Sequence, residues 1–228
     1  MELPPGIHDL ALSFDYGETS MTIHPVAVET HRGLVLVDVG LPGAAEKIEA
    51  ALAETDHDLA DVWTVLLTHH DGDHAGGLRG LLERVDATVL AHREEAPFVR
   101  GDRDPLKGDG DGDRYPPAPV DVELVGGVTL PTVAGPMTVV ETPGHAPGHV
   151  SLHFPEEELL LTGDALVADD EEPLSGPKPQ FTPDMETAVD SVGRLAELAF
   201  DRVLCYHGGG APVGSPYVRE IHASLSGG

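Results

Sequence analysis

Residues 61–69, DVWTVLLTH, form a short and almost continuously apolar run. That pattern belongs to a strand buried on both faces, as in parallel sheets covered by helices. Its surroundings agree. TIHPVAVET (22–30) and GLVLVDVG (33–40) are β-branched runs separated by the polar HRG, as expected of paired strands. GAAEKIEAALAE (43–54) switches to helical period, AGGLRGLLERV (75–85) reads as a helix and ATVLAH (87–92) as another strand. Alternating strands and helices predict an α/β chain whose sheets carry helices on their faces.

The second half repeats the style. VELVGGVTLP, MTVVETPG, HVSLHF and ELLLTGD are short strands punctuated by glycine and proline, which predicts a second sheet. TPDMETAVDSVGRLAEL (182–198) predicts a helix with Thr182 as cap and Pro183 first inside it, RVLCYH (202–207) a strand, and SPYVREIHASL (215–225) a helix capped by Ser215. Residues 100–120 are rich in Gly, Pro and Asp and predict an exposed loop. Asp109, Asp111 and Asp113 imitate the start of a calcium loop, but Arg114 stands where glycine is needed and Val120 where glutamate is needed, so a solvated acidic loop is expected. At 228 residues a single domain, 1–228, is the simplest organisation.

The apolar run at 61–69 ends in chemistry. Within LLTHHDGDHAGG (66–77), His69, Asp71, Asp73 and His74 are potential ligands at i, i+2, i+4 and i+5. Like charges and imidazoles packed at a strand end cost stability unless a cation compensates. In a turn, His69 and Asp71 could face one side and Asp73 with His74 another, with Gly72, Gly76 and Gly77 permitting the tight backbone. Three further polar residues end apolar runs: His145 after VVETPG, Asp164 after LLLTG and His207 after RVLCY. Strand ends are where open α/β sheets place ligands, and several loops converging on four to six donors make two metals plausible. His70 should point away. His8, His24, His31, His57, His92, His153 and His222 read as surface or satisfied core residues, and the single Cys205 as buried filler. His149 competes with His145 as a ligand on spacing alone. The glycines of HGGGAP (207–212) are a weak phosphate signal, and Lys178 could meet an anionic substrate.

The ordered series THHDGDHAGG, TPGHAPGH, LTGD and a final strand-end histidine resembles the metallo-β-lactamase superfamily over about residues 20–210. The resemblance implies a four-layer αββα sandwich, two mixed β-sheets with helices on the outer faces, and a dinuclear metal site in a cleft along one edge. It implies that His69, Asp71 and His145 hold the first metal, that Asp73, His74 and His207 hold the second, and that Asp164 bridges them. It favours His145 over His149, which becomes a supporting residue, and matches Asp38 in LVDVG to a supporting carboxylate. Asp71 stands where most of the superfamily has histidine. Its harder oxygen donor makes iron or manganese more acceptable beside zinc, the expected metal.

The function so implied is a dinuclear metal-dependent hydrolase. Hydroxide held between the two ions, oriented by Asp73, would attack the carbonyl of a small-molecule ester, thioester, lactone or amide. The alternative is an iron-dependent, persulfide dioxygenase-like oxidoreductase, since those enzymes share the fold and Asp71 would harden the first site. A non-catalytic binding module is disfavoured by the intact ligand set. Thioesterases of the glyoxalase II type carry a helical substrate domain after the last ligand, whereas 21 residues follow His207, which disfavours that substrate. Nuclease relatives present basic surface, and this chain does not, so a small molecule and not nucleic acid is the expected partner.

Forty Asp and Glu oppose 13 Lys and Arg for a formal charge of −27, and lysines are confined to Lys47, Lys107 and Lys178. This resembles the composition of extreme halophiles such as haloarchaea, where molar salt cuts the screening length to roughly 3 Å. One cysteine excludes an internal disulfide, and no apolar stretch reaches the ~18 residues of a membrane span. A cytoplasmic chain is therefore expected. Self-repulsion should weaken the compact state in dilute salt. The midpoint of thermal unfolding, followed by circular dichroism, is expected to rise on going from dilute to molar potassium chloride.

Overall fold

The computed structural model describes residues 1–16, 19–107, 114–168 and 174–227. In chain order its elements are β1 (Ile7–Asp9), β2 (Leu12–Tyr16), β3 (Thr19–Ile23), β4 (Val26–Thr30), β5 (Gly33–Val37), α1 (Ala45–Leu52), β6 (Val62–Leu67), α2 (Gly72–Ala75), α3 (Leu78–Leu82), β7 (Thr88–His92) and α4 (Ala96–Arg100). There follow β8 (Val122–Leu124), β9 (Thr129–Thr132), β10 (Gly135–Glu141), β11 (Val150–Phe154), β12 (Leu159–Leu161), α5 (Met185–Leu195), β13 (Arg202–Cys205), β14 (Gly209–Ala211) and α6 (Ser215–Ser226).

Two mixed six-stranded sheets result, ordered β1-β4-β5-β6-β7-β8 and β14-β13-β12-β11-β10-β9, with β2 and β3 forming a separate hairpin. Strands β5 to β8 run parallel, as do β12 and β13. Because side chains alternate across a strand, each sheet feeds two cores. Val35, Val37, Leu66 and Leu90 of the first sheet meet Met137, Leu152, Phe154 and Leu204 of the second in the layer between them. The alternate residues Leu34, Leu36, Val65 and Leu67 turn outward onto Ile48 and Leu52 of α1 and Leu78 and Leu81 of α3. On the far side, Leu160, Val203 and Cys205 pack on Val192 and Leu195 of α5 and Val218 of α6. Burial pushes the Cys205 thiol up to about 12, so it is an inert filler. The architecture is the expected αββα sandwich. Among the described residues no helix is long and apolar enough to cross a membrane.

Several local expectations are corrected. Residues 22 and 23 belong to β3, at the open end of the β2–β3 hairpin, and do not extend β4. VEL (122–124) joins the first sheet as its edge strand, parallel to β7, and not the second. The expected helix 75–85 breaks into α2 and α3 at Gly76 and Gly77. Neither needs a left-handed backbone; what they need is room, since a Cβ at Gly77 would lie 2.4 Å from the carbonyl oxygen of Val39 and one at Gly76 2.7 Å from Pro42 Cδ. A Cβ at Gly72 would make only an ordinary contact, 3.8 Å from Tyr115 Cδ1. Helix α5 is capped by Asp184, whose side chain accepts from the Thr187 amide, and not by Thr182. In α6 Ser215 is the first helical residue and makes no side-chain cap. An unforeseen short helix, α4, precedes the loop 100–120 and ends at its first residue; Asp109, Asp111 and Asp113 lie outside the described residues.

The parallel strands bring their carboxyl ends to one edge, where the amide of Val150 at the start of β11 donates to the carbonyl of Thr68 at 3.0 Å and so ties the two sheets together. Phe154 is wholly buried between the sheets. Phe154→Ala is expected to cost about 3–5 kcal/mol, measured by urea unfolding.

Candidate metal centre

The centre is built on Asp38, the residue after β5. It holds a left-handed backbone (φ 59°), an uncommon conformation for a residue with a side chain. Its carboxylate is nearly wholly buried and fully engaged. Oδ1 accepts from the Thr68 amide at 2.8 Å, and Oδ2 accepts from the Thr68 hydroxyl at 2.7 Å and from Nδ1 of His74 at 2.8 Å. With its proton committed to Asp38, the Thr68 hydroxyl accepts from Nδ1 of His69 at 3.0 Å. Both rings are thereby locked in the tautomer that turns an unprotonated Nε2 towards the cleft when the ring is neutral.

Around these two nitrogens the structure gathers all seven sequence-predicted residues. Asp71 Oδ2 lies 3.4 Å from His69 Nε2 and 3.1 Å from His145 Nε2. Asp73 Oδ2 lies 3.1 Å from His207 Nε2 and 3.9 Å from His74 Nε2. Asp164 sits between the two groups, 3.2 Å from His74, 3.3 Å from His145 and 3.5 Å from His207. His69, His145 and Asp164 form one set of converging donor atoms, and Asp73, His74 and His207 another. His69, Asp71, His145, Asp164 and His207 come from the segments that follow strands, and Asp73 and His74 from the short helix α2 just beyond β6, so the rigid sheets fix their spacing.

Three polar atoms at the centre, His69 Nε2, His74 Nε2 and Asp164 Oδ1, are buried and have no hydrogen-bond partner among the described residues. An orphaned buried group of this kind costs about 1–3 kcal/mol. The donor set, imidazole nitrogen with carboxylate oxygen, suits a divalent ion. These residues fit a metal.

The electrostatics are those of a charge cluster. Burial would raise the carboxyl of Asp164, yet His74 and His207 hold it well below the usual range; Asp71 is likewise held down by His69, His145 and Lys107. In return, Asp164 and Asp38 outweigh desolvation and raise His74 well above normal. Asp164 and Asp73 outweigh it at His207, pushing it up to about 9. His69 is lowered by burial and by the charge on His74.

The structure separates His145 from His149. His145 enters the cluster, whereas His149 spends Nδ1 on the Thr142 hydroxyl at 2.8 Å and accepts the Asp164 amide on Nε2 at 3.0 Å. Burial drives its pKa down to about 3, so it stays neutral and positions Asp164. His70 turns away, stacks on Phe98 and bonds to the buried Glu95, which also accepts the Gly148 amide at 2.6 Å. Sequence reasoning missed Glu95, and it missed Lys107. The Lys107 ammonium donates to Asp71 Oδ2 and to His145 Nε2, both at 2.6 Å. It also missed Tyr206, which stacks on His74 with ring centroids 3.7 Å apart and whose hydroxyl donates to the carbonyl of Asp73. Lys107 lies in an irregular loop with no periodicity to mark it, whereas Tyr206 adjoins His207 and that adjacency was the available signal.

The profile of the metallo-β-lactamase superfamily matches residues 23–207. The chain belongs to that superfamily. It is 29% identical over 231 residues to the Bacillus subtilis protein named "Probable metallo-hydrolase YflN", an alignment covering 91% of this chain and 85% of the relative. It is 32% identical over 161 residues to a hydroxyacylglutathione hydrolase of Cereibacter sphaeroides, covering 71% of this chain and 52% of that enzyme, so it spans about half the enzyme's length. A crystal structure of a metallo-β-lactamase family protein from Thermus thermophilus superposes with a TM-score of 0.74 at 26% identity, covering 98% of this chain and 80% of that one. The superfamily fold and the ordered donor set therefore coincide in one chain.

Metal ligation needs neutral imidazoles, and in the metal-free chain His207 keeps its proton up to about pH 9 while His74 is raised as well. Zinc uptake at pH 7 is expected to release protons. The apparent affinity should therefore strengthen as pH rises from 6 towards 9, as followed by calorimetry in buffers of different ionisation enthalpy.

Proposed function

We propose that this chain is a single-domain, dinuclear metal-dependent hydrolase that opens a carbonyl ester, thioester, lactone or amide of a small molecule. The observation that carries the reading is the set of three buried donor atoms on His69, His74 and Asp164 that make no hydrogen bond among the described residues, although His74 Nε2 and Asp164 Oδ1 lie 3.2 Å apart, an arrangement that is costly unless cations satisfy it. His69, Asp71 and His145 would hold the first ion, Asp73, His74 and His207 the second, and Asp164 both. Zinc is the favoured metal, with manganese or iron admitted by the harder Asp71. Bound divalent ions supply a lowered water pKa and a polarised scissile carbonyl.

The chain's own residues supply the rest. Asp73 is about a quarter exposed towards the cleft, with Oδ2 on His207. From there it orients the attacking water and accepts its proton. Asp38 and Thr68 keep His69 and His74 from rotating during turnover. Lys107 offsets the charge that Asp71 adds where a neutral imidazole is usual, and its ammonium, about a fifth exposed, is placed to meet an anionic group on the substrate. Family membership and the metallo-hydrolase and hydroxyacylglutathione hydrolase relatives support hydrolysis as the reaction class.

The test is a hydrolysis screen of the zinc- and manganese-loaded protein on esters, lactones and thioesters. Asp73→Asn is expected to lower kcat by about 10²–10⁴-fold while the fold is retained, the range for losing a positioned acid or base. Asp164→Asn should lose turnover together with bound metal. Full activity in chelator-stripped protein would overturn the reading.

A further inference from the structure

Away from the cleft, at the opposite end of the first sheet, His8 on β1 and Glu29 on β4 meet His57 from the turn before the 3₁₀ segment Leu59–Asp61. Strand register puts His8 opposite Ala27, so His8 and Glu29 are diagonal neighbours on one face. Glu29 in turn pairs with Leu34 at the start of β5, whereas Asp38 follows that strand's end.

Both imidazoles aim Nε2 at the same carboxylate oxygen, Glu29 Oε1, at 2.9 Å from His8 and 3.1 Å from His57. The rings stand edge to face with centroids 5.4 Å apart. Ligands at ~2.0–2.1 Å around a tetrahedral ion are separated by roughly 3.3 Å, so the two nitrogen–oxygen spacings are already close to those of coordinated ligands, and all three donor atoms lie within 4.8 Å of one another. Asp61 Oδ2, 3.6 Å from Nδ1 of His57, adds negative potential on the far side of that ring. The supporting backbone is tied down. Glu29 donates its amide to the carbonyl of Gly6 at 2.8 Å, the His57 amide bonds to the Thr55 hydroxyl at 3.2 Å, and Asp58 and Asp61 form a capping box immediately after. All three side chains are about a quarter exposed, which leaves an approach from solvent.

We propose that His8, Glu29 and His57 form an additional site for a borderline divalent ion, zinc, nickel or copper, with two imidazole nitrogens and one carboxylate oxygen as ligands and a position left for water. Two nitrogens and one oxygen are the donors that such ions prefer over calcium or magnesium. An ion there would clip the N-terminal strand to β4 and to the turn that leads into β6. The site is independent of the cleft, because it shares no residue with it.

The test uses the full-length chain with zinc as the probe. Wild type, His8→Ala/His57→Ala and Glu29→Gln are dialysed against zinc and their metal content is measured by elemental analysis, with circular dichroism as the fold control. Wild type is expected to hold one zinc per chain more than either variant, and ester hydrolysis by the zinc-loaded variants should match wild type. Should the double variant not fold, Glu29→Gln, close in shape to the native residue, carries the same comparison. Imidazole ¹H–¹⁵N spectra of wild type supply a second readout, in which the His8 and His57 resonances shift with zinc. Equal zinc content in all three proteins, or His8 and His57 signals unmoved by zinc, would overturn the proposal and leave only a hydrogen-bonded cluster, whatever the cleft binds.

Discussion

A single buried carboxylate, that of Asp38, determines whether this fold has a usable cleft. It receives three hydrogen bonds from the ligand loop, two from Thr68 and one from His74, and through the Thr68 hydroxyl it also sets the ring of His69. A charge so deep in the protein is tolerable only because every bond it accepts comes from the loop it organises. The left-handed backbone at Asp38 is the conformational cost of aiming the side chain across from β5 to the end of β6.

The cleft itself is balanced and not merely acidic. Asp71, Asp73 and Asp164 are offset in the metal-free chain by Lys107 and by the raised imidazoles of His74 and His207. Ions entering the cleft would replace those protons and relieve Nε2 of His69 and Oδ1 of Asp164, which the described protein groups leave unpartnered. Glu95 adds mechanical support. Its two oxygens take the amides of His70 and Gly148, so the ligand loop of one sheet and the His145 loop of the other are riveted at a common, fully buried point.

Much of this was legible because it was local. His69, Asp71, Asp73 and His74 lie within six positions, and His145, Asp164 and His207 each follow an apolar strand, so alternation and strand ends were enough to mark them. Period-two and period-3.6 patterning also located most strands and the helices α1 and α5. What escaped was set by partners distant in the chain. Gly76 and Gly77 interrupt a helix where the Pro42 ring and the carbonyls of residues 39–41 pass close by and the Gly77 amide donates to the Gly40 carbonyl, and VEL pairs with β7 because the chain returns beside the first sheet. Lys107, Glu95 and the approach of His57 to His8 depend on loops whose paths carry no periodic signal. The histidines read singly as surface or satisfied core residues, His8 and His57, acquire their interest only by meeting at Glu29.

The sequence by itself determined that two sets of short buried strands alternate with helices and that ionisable residues gather at their ends, since hydrophobic alternation dictates which face of a strand is buried and chemistry dictates which residue types can end it; the αββα layer order and the preference for His145 over His149 entered only through the resemblance to the superfamily. Only the tertiary structure decided which donors face one another. That choice, His145 into the cleft and His149 behind Asp164, Lys107 onto Asp71, is made by distances across two sheets, and no spacing along a chain encodes a distance between segments that meet only after folding.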